Sequence, residues 1–166
     1  GQELRHATWL ETEYRALRHL SAAGADVPKP VARGSNVILM EYVGGGSAAA
    51  QTLNHVNLTR AEAETIFARL IENLGIMLEN HLVHADLSAY NVLYWEGEFK
   101  IIDFPQAVDP RRNAEAGEMF ERDVTRLCQY FSRYGIRRDP RSLAGELWER
   151  YERLNALDAG IIIEDE

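Results

Sequence analysis

Two short motifs stand out in this sequence: His84-Ala85-Asp86-Leu87-Ser88-Ala89-Tyr90-Asn91 and Ile101-Ile102-Asp103-Phe104-Pro105-Gln106. They place an aspartate, an asparagine and a second aspartate within eighteen residues, between apolar runs that favour strands. Phosphoryl transfer from ATP uses such a set, with one carboxylate to orient the nucleophile and an amide and a carboxylate to hold Mg²⁺. The two motifs therefore predict the catalytic centre of a kinase.

The spacing within the first motif gives each polar residue a candidate role. Asp86 and Asn91 are five residues apart, as in the kinase catalytic loop H-R-D-L-x-x-x-N, although Ala85 replaces the usual arginine. We predict that Asp86 orients the attacking hydroxyl and that Asn91 and Asp103 bind Mg²⁺ or Mn²⁺, since hard cations prefer oxygen ligands. His84 is expected to support the loop by hydrogen bonding rather than to transfer protons.

An apolar run that ends at a glycine resembles the hinge of a kinase ATP site. The run is Met40-Glu41-Tyr42-Val43-Gly44, and its backbone would pair with adenine. The residues predicted to surround the adenine are Met40 as gatekeeper, the Glu41 carbonyl and the Val43 N–H as hydrogen-bond partners, and Leu93 and Ile102 as the pocket floor. ATP is thus the expected substrate.

Length and charge limit the classes of protein that this chain can represent. A chain of 166 residues with 46% apolar side chains can form one domain, or one large lobe with a remnant of another. The net charge of −8 argues against a domain-wide nucleic-acid surface. No apolar run reaches the roughly 20 residues of a membrane helix. The single cysteine, Cys128, fits a reducing compartment, so we expect a cytoplasmic protein with no membrane partner.

Periodicity along the chain predicts an α+β protein with a small first part and a mostly helical second part. The predicted elements are helices at 3–23, 60–80, 119–134 and 142–157, a buried central strand at 36–43, and a hairpin at 92–95 and 99–102. An extended segment at 27–31 and a flexible glycine-rich connector at 44–47 separate them. We therefore divide the chain into a remnant N-terminal lobe, residues 1–43, with a helix and two strands, and a C-terminal lobe, residues 44–166.

The motifs resemble the RIO family of atypical serine protein kinases. The resemblance rests on residues 86–91, where the family shows D-L-S-x-[YF]-N, and on residues 102–106, where part of the family shows I-D-F-P-Q. Residues 120–124 are also similar to the family's F-x-R-D-V. The likeness extends from about Trp9 to Tyr134 and implies a protein-kinase-like fold.

The resemblance implies an ATP-dependent phosphotransferase or ATPase. Family members phosphorylate serine and can form a phospho-aspartate on the metal-binding aspartate, here Asp103. Structural roles are implied for Ser88 and for Asp123, which would sit at a helix N-terminus and bond to the catalytic-loop backbone. Some members act in small-ribosomal-subunit maturation, a role that the negative charge of this chain does not favour. The motifs do not identify the protein substrate.

One part of the expected ATP site is missing from the sequence. Glu13 resembles the glutamate of the kinase αC helix, with Glu11 as a competing choice, and its partner should be a lysine on a preceding strand. The only lysines are Lys29 and Lys100, and no glycine-rich phosphate loop precedes Glu13. Two explanations stay open: a fragment of a longer kinase, or a naturally short pseudokinase. If the chain exists alone, the face of the Glu13 helix and the sheet edge at Val37–Tyr42 are left uncovered, so we expect it to self-associate.

Two other functions fit parts of the pattern. Small-molecule kinases of the aminoglycoside or choline type also use H-x-D-x-x-x-x-N and I-D-F, but Ser88, Tyr90 and Pro105-Gln106 favour the RIO family. A non-catalytic nucleotide-binding module is the second alternative. The missing lysine favours it, and the intact set of two aspartates and one asparagine argues against it.

Overall fold

A computed structural model describes the backbone of residues 2–160 and the side chains of residues 8–160. Its helices are α1 (Gln2–Ala22), α2 (Arg60–Glu79), α3 (Ala116–Ser132) and α4 (Pro140–Asp158). Its strands are β1 (Pro30–Arg33), β2 (Ile38–Met40), β3 (Gly44–Gly45), β4 (Ala48–Ala49), β5 (Gln51–Thr52), β6 (Val92–Trp95) and β7 (Glu98–Ile101). Short 3₁₀ turns lie at Leu53–His55 and Ala89–Asn91.

The described strands form three small antiparallel sheets. β1 pairs with β2, and β3 pairs with β4. β6 and β7 form the predicted hairpin, and β5 adds a third strand beside β6. The two turn residues, Glu96 and Gly97, have φ values of 46° and 88°. Positive φ at both positions is what a two-residue type I′ turn requires, so the hairpin prediction is confirmed to within one residue at its ends.

α2 begins at the capping box that the sequence predicts. The Thr59 hydroxyl accepts the Glu62 N–H at 3.2 Å, and the Glu62 carboxylate accepts the Thr59 N–H at 2.7 Å. These bonds satisfy donors that a helix N-terminus leaves without partners. The apolar stripe of α2 is buried along its length at Ile66, Leu70, Leu74 and Leu78.

α3 and α4 pack against each other and against α2. The predicted apolar stripe of α3 is buried as expected: Phe120, Val124, Leu127, Cys128 and Phe131. One continuous core joins the second half of α1, the hairpin and these three helices. None of the described helices is long and apolar enough to cross a membrane.

The strand predicted at 36–43 is wrong in both length and burial. β2 covers only Ile38–Met40, and the side chains of Val37 and Leu39 are 62% and 58% exposed. β1 and β2 form a two-stranded sheet, which leaves most of their side chains in contact with solvent. The apolar composition predicted a strand correctly but gave no information on what would cover it.

The flexible connector predicted at 44–47 is also wrong, because β3 and β4 form a tight hairpin there. Gly44 pairs with Ala49, and Gly45 pairs with Ala48. A Cβ atom at Gly45 would lie 2.8 Å from the Trp95 ring. Glycine at this position therefore allows a close approach to β6 rather than flexibility.

Asp26, in the segment after α1, attaches the first part of the chain to the helical part. Its carboxylate accepts Arg69 Nε–H at 2.6 Å and Asn73 Nδ2–H at 2.8 Å, and its backbone N–H donates to Asn73 Oδ1 at 2.6 Å. The Asp26 carbonyl accepts the Ile101 N–H at 2.7 Å. These bonds fix the end of α1 against both α2 and β7. The division of the chain at residue 43 stays a prediction.

Candidate functional site

His84 lies in the loop between α2 and β6 with both ring nitrogens engaged. Its Nδ1 accepts the Asp86 backbone N–H at 3.2 Å, so Nδ1 is unprotonated and the Nε2–H donates to the Ile102 carbonyl at 2.9 Å. The ring is 1% exposed and packs against Phe104 at 4.8 Å between centroids. Burial lowers the pKa of His84, although the Ile102 bond and nearby carboxylates oppose this effect. A neutral His84 therefore links the loop to the segment that carries Asp103.

Asp123 holds the same loop from α3. Its buried carboxylate accepts the N–H of Ala85 at 2.8 Å and of Leu87 at 3.0 Å, so the loop hydrogen bonds implied by the family resemblance are present. The expected place of Asp123 at a helix N-terminus is wrong, because α3 begins at Ala116 and Asp123 lies mid-helix. Burial raises the pKa of Asp123, while the two N–H bonds and the proximity of His84 oppose that rise.

Ala85 has a φ of 70°, in the left-handed region that costs a non-glycine residue roughly 1–2 kcal/mol. The Asp123 bond to the Ala85 N–H helps to hold this conformation. The strained turn places Asp86 at the surface of the loop, with its side chain directed away from the core. Strain of this kind is concentrated at functional sites in proteins.

Asn91 joins the two motifs. Its Nδ2 donates to the Asp86 carbonyl at 2.6 Å, and its backbone carbonyl accepts the Ile102 N–H at 2.9 Å. Because the amide nitrogen is used within the loop, the Asn91 Oδ1 is the atom left to bind a cation. Ser88 caps the 3₁₀ turn that carries Asn91 by accepting the Tyr90 N–H at 3.3 Å.

The Asp86 carboxylate forms an ion pair that the sequence analysis missed. Its Oδ1 lies 3.1 Å from Nη1 of Arg126 on α3, and the two side chains are 57% and 40% exposed. Arg126 follows Asp123 by three residues and so lies on the same face of α3. Asp123 lies in the F-x-R-D-V match, so the spacing of three residues from Asp123 is the sequence feature by which Arg126 could have been identified.

Asp103 follows β7 in a left-handed conformation, with a φ of 63°. Glu13 on α1 accepts the backbone N–H of Phe104 beside it. Burial raises the pKa of Glu13, the Phe104 bond lowers it, and the charge of Asp103 raises it further. A cation bound near the Glu13 and Asp103 carboxylates would be attracted to both and would reduce their repulsion.

Glu11 and Glu13 have different surroundings. Glu11 forms ion pairs at 3.3 Å with Arg15 and Arg33 near the surface. Glu13 faces the cavity described below and forms no ion pair with any residue in 8–160. Lys100 lies 3.5 Å from Glu41 and does not pair with Glu13. The geometry therefore favours Glu13 over Glu11 as the glutamate of the site.

A cavity of about 450 Å³ is lined by α1, the segments 40–43 and 49–50, Leu93 of β6 and the residues 102–104 that follow β7. It brings together all the residues predicted to bind ATP, and Asp103 with them: Glu13, Met40, Glu41, Val43, Leu93, Ile102 and Asp103. Six further lining residues were not assigned to the site from the sequence: Leu17, Pro28, Tyr42, Ala49, Ala50 and Phe104. Most of these are apolar or small and carry no motif, so only the fold reveals their contribution.

The backbone of residues 41–43 has the alternating hydrogen-bond pattern of a hinge. The Glu41 N–H donates to the Lys29 carbonyl at 2.9 Å, and the Val43 carbonyl accepts the Ala50 N–H at 2.9 Å. The Glu41 carbonyl and the Val43 N–H make no backbone hydrogen bond within the part of the chain that the structure describes. These are the two groups that the sequence analysis assigned to adenine.

The donors available to a metal beside the cavity are few. Within residues 8–160, no group of three or more His, Cys, Asp or Glu side chains is placed to enclose a metal ion. Asn91 and Asp103 offer one amide oxygen and one carboxylate. Mg²⁺ is commonly bound by one or two protein groups together with waters and substrate phosphates. The donor set therefore fits a cation that is held jointly with a nucleotide.

A family model described as the RIO domain matches residues 3–143 of this chain. The chain belongs to the RIO family. This finding confirms the resemblance inferred from the two motifs. The RIO-type serine/threonine-protein kinase Rio1 of Thermoplasma acidophilum is 36% identical over 132 residues, which are 80% of this chain and 68% of that protein. Human serine/threonine-protein kinase RIO1 is 32% identical over 130 residues, which are 78% of this chain and 23% of that protein.

The structure of this RIO chain is similar to that of another family member. The crystal structure of the Rio2 kinase-ADP/Mg²⁺-phosphoaspartate complex from Chaetomium thermophilum superposes with a TM-score of 0.69 at 22% identity. The match covers 84% of this chain and 44% of that one. It confirms the predicted α+β, protein-kinase-like fold. The RIO chain thus spans about two thirds of the archaeal relative and about a quarter of the human one.

Proposed function

We propose that this chain is the part of an ATP-dependent serine phosphotransferase that binds the adenine and carries the catalytic loop. The observation that carries the proposal is the cavity, which joins hinge residues 40–43 to Asp103. Asn91 binds the neighbouring Ile102 and the Asp86 carbonyl, so the candidate base lies one contact away from the cavity wall. The names of the relatives support a serine or threonine acceptor in a protein.

In this proposal each polar residue acts at a stated atom. The Glu41 carbonyl and the Val43 N–H bind the adenine, and the Asn91 Oδ1 and the Asp103 carboxylate hold Mg²⁺ or Mn²⁺. When bound, the cation neutralises charge on the β- and γ-phosphates. The Asp86 carboxylate orients the acceptor hydroxyl and receives its proton. His84, Ser88 and Asp123 keep the loop in place.

Asp103 is proposed to accept the phosphoryl group as well. A Rio2 relative has been crystallised as a phosphoaspartate complex with ADP and Mg²⁺. In the corresponding step here, a carboxylate oxygen of Asp103 forms a bond to the γ-phosphorus while the bond from that phosphorus to the β,γ-bridging oxygen breaks. ADP leaves with the electron pair, and water or an acceptor hydroxyl later takes the phosphoryl group from Asp103.

A second candidate function is nucleotide binding without efficient turnover. It is supported by the surroundings of Glu13, which has no cationic partner among residues 8–160. In a kinase this glutamate orients a lysine that holds the α- and β-phosphates. Without such a lysine, the cavity can still bind adenine, but the phosphates are held less well.

Replacing Asp103 by alanine tests the proposed site. We expect Asp103→Ala to lower the Mg²⁺-dependent affinity for ATP at least about ten-fold, because one of two protein ligands is lost. Isothermal titration with and without Mg²⁺ measures this effect. Asp158→Ala, which removes an exposed carboxylate at the end of α4, is the matched control. Equal affinity in the two variants would remove Asp103 from the metal site.

Transfer of labelled phosphate separates the remaining functions. Incubation of the full-length gene product with ATP labelled at the γ-phosphate should label a serine-containing protein but not an aminoglycoside or choline. Label on the enzyme should be released by hydroxylamine, which cleaves acyl phosphates, and should be absent from Asp103→Asn. Mg²⁺-dependent ATP binding with no labelled product would instead favour the nucleotide-binding module.

A further inference from the structure

The backbone of Asp86 is held at several points, whereas its side chain has a single partner in the described residues. The Asp86 N–H donates to His84 Nδ1, and its carbonyl accepts Asn91 Nδ2–H at 2.6 Å. The residues on either side of it donate their N–H groups to Asp123. Among residues 8–160, Arg126 is the only residue that forms a hydrogen bond or ion pair with the 57% exposed carboxylate, at 3.1 Å. Rotation of the carboxylate is therefore restricted by one residue outside the loop.

The positive charge at this position comes from another segment of the chain. Residues 84–91 contain no lysine or arginine, because Ala85 stands where the kinase motif has an arginine. Arg126 lies forty residues along the chain from Asp86, on α3. Asp123 and Arg126 are three residues apart and so share one helix face. One turn of α3 thus binds both the backbone around Asp86 and its side chain.

The ion pair between Arg126 and Asp86 is expected to contribute little to the folding stability of the chain. Both partners are well exposed, and exposed ion pairs contribute little to folding. The pair does determine where the carboxylate oxygens of Asp86 point. Orientation of a reacting group can change a rate by orders of magnitude at small cost in stability.

We propose that Arg126 is a positioning residue, which holds the Asp86 carboxylate in the orientation that receives the acceptor hydroxyl. The inference rests on the proposed function, because it assumes that Asp86 orients that hydroxyl. One Asp86 oxygen binds the Arg126 guanidinium, and the other is left to the hydroxyl. Arg126 acts through Asp86 and contacts neither the nucleotide nor the acceptor.

The test compares two arginines of α3 in the full-length gene product. Arg126→Met removes the ion pair, whereas Arg122→Met removes an equal charge from an exposed position on the same helix. We expect Arg126→Met to lower kcat about ten-fold or more with less than about a two-fold change in the KM for ATP. Arg122→Met should retain the wild-type kcat, and thermal unfolding should give similar Tm values for all three proteins.

Chemical rescue provides a readout that a merely structural role would not change. Adding millimolar guanidinium to Arg126→Ala should restore part of the lost kcat, and the same concentration of uncharged urea should not. Arg126→Lys should fall between the wild type and Arg126→Met, since lysine keeps the charge but not the planar fork. Equal kcat values for Arg126→Met and Arg122→Met would overturn the proposal. So would a raised KM for ATP with an unchanged kcat, which would place Arg126 on the nucleotide.

Asp86→Asn separates failure of this inference from failure of the proposed function. If Asp86→Asn loses turnover while Arg126→Met keeps it, only the role of Arg126 is wrong. If Asp86→Asn keeps wild-type turnover, the role of Asp86 in the proposed function is wrong, and the inference that depends on it fails as well.

Discussion

The β1–β2 sheet and the α2–α3 helices carry similar apolar residues in opposite environments. Leu39 of β2 is 58% exposed, whereas Leu70 of α2 is 0% exposed. An amphipathic helix can bury its apolar stripe against one neighbour, and here α2, α3 and α4 bury one another. A sheet needs a layer of other residues on its face, and pairing between two strands does not provide one. Burial therefore stabilises the helical part, whereas the cavity beside Asp103 is lined by Met40 of the exposed sheet and by no residue of α2, α3 or α4.

Truncation of the two leucines should separate these regions most strongly. Leu70→Ala is expected to lower the free energy of unfolding by about 2–5 kcal/mol, because it opens a cavity in a closed core. Leu39→Ala should change it by no more than about 0.5 kcal/mol, as is usual for exposed positions. Urea unfolding monitored by circular dichroism measures both values. Similar losses at the two sites would show that the sheet is as well covered as the helices.

The loop that carries Asp86, between α2 and β6, should depend on α3. We expect Asp123→Ala to lower the free energy of unfolding by roughly 2–4 kcal/mol, since two backbone N–H groups lose their acceptor. Glu121→Ala, at an exposed position of the same helix, should leave it within about 0.5 kcal/mol. The same unfolding assay applies. A small effect of Asp123→Ala would mean that the loop is held mainly by His84 and Asn91.

A smaller effect is expected from pH. Burial lowers the pKa of His84 in the folded protein below its ordinary value of 6.5, so between these two values the unfolded chain binds a proton that the folded protein does not. The free energy of unfolding should therefore fall as the pH drops below about 6.5, by up to about 1.4 kcal/mol per pH unit, and be constant for this group above that pH.

His84→Gln provides the comparison, because glutamine can donate to the Ile102 carbonyl but does not titrate. Urea unfolding at pH 7.5 and pH 5.5 should show a larger loss at low pH for the wild type than for His84→Gln. The raised pKa of Asp123 acts in the opposite sense, because the folded protein then takes up that proton first as the pH falls. Equal losses in the two proteins would show that His84 is not the group responsible.

The parts of the site that could be predicted are those in which a chemical type recurs at a fixed spacing. Asp86, Asn91 and Asp103 are predicted as site residues because phosphoryl transfer uses a carboxylate, an amide and a second carboxylate, and their roles stay predictions. The capping box at Thr59 and the hairpin turn at Glu96-Gly97 were found because each rests on contacts within a few residues. Local rules of this kind do not depend on the rest of the fold.

The parts that could not be predicted depend on contacts between distant segments. Arg126 meets Asp86 only because α3 packs beside the loop, and nothing in either local pattern requires that contact. The strand predicted at 36–43 was expected to be buried because its residues are apolar. Burial depends instead on the residues that pack against a strand, and composition does not specify them. Gly44–Gly46 suggested flexibility, whereas the Trp95 ring beside Gly45 explains the missing side chain.

The left-handed backbone at position 103 favours glycine, whereas the proposed function requires a carboxylate there. Glycine adopts a φ of 63° without strain, whereas most residues with a Cβ atom lose roughly 1–2 kcal/mol there and aspartate loses less. Asp103→Gly would relieve this strain in the folded chain but would also increase the conformational entropy of the unfolded chain. The proposed role of Asp103 therefore has a cost in folding free energy, because it requires a carboxylate at a backbone position that strains it.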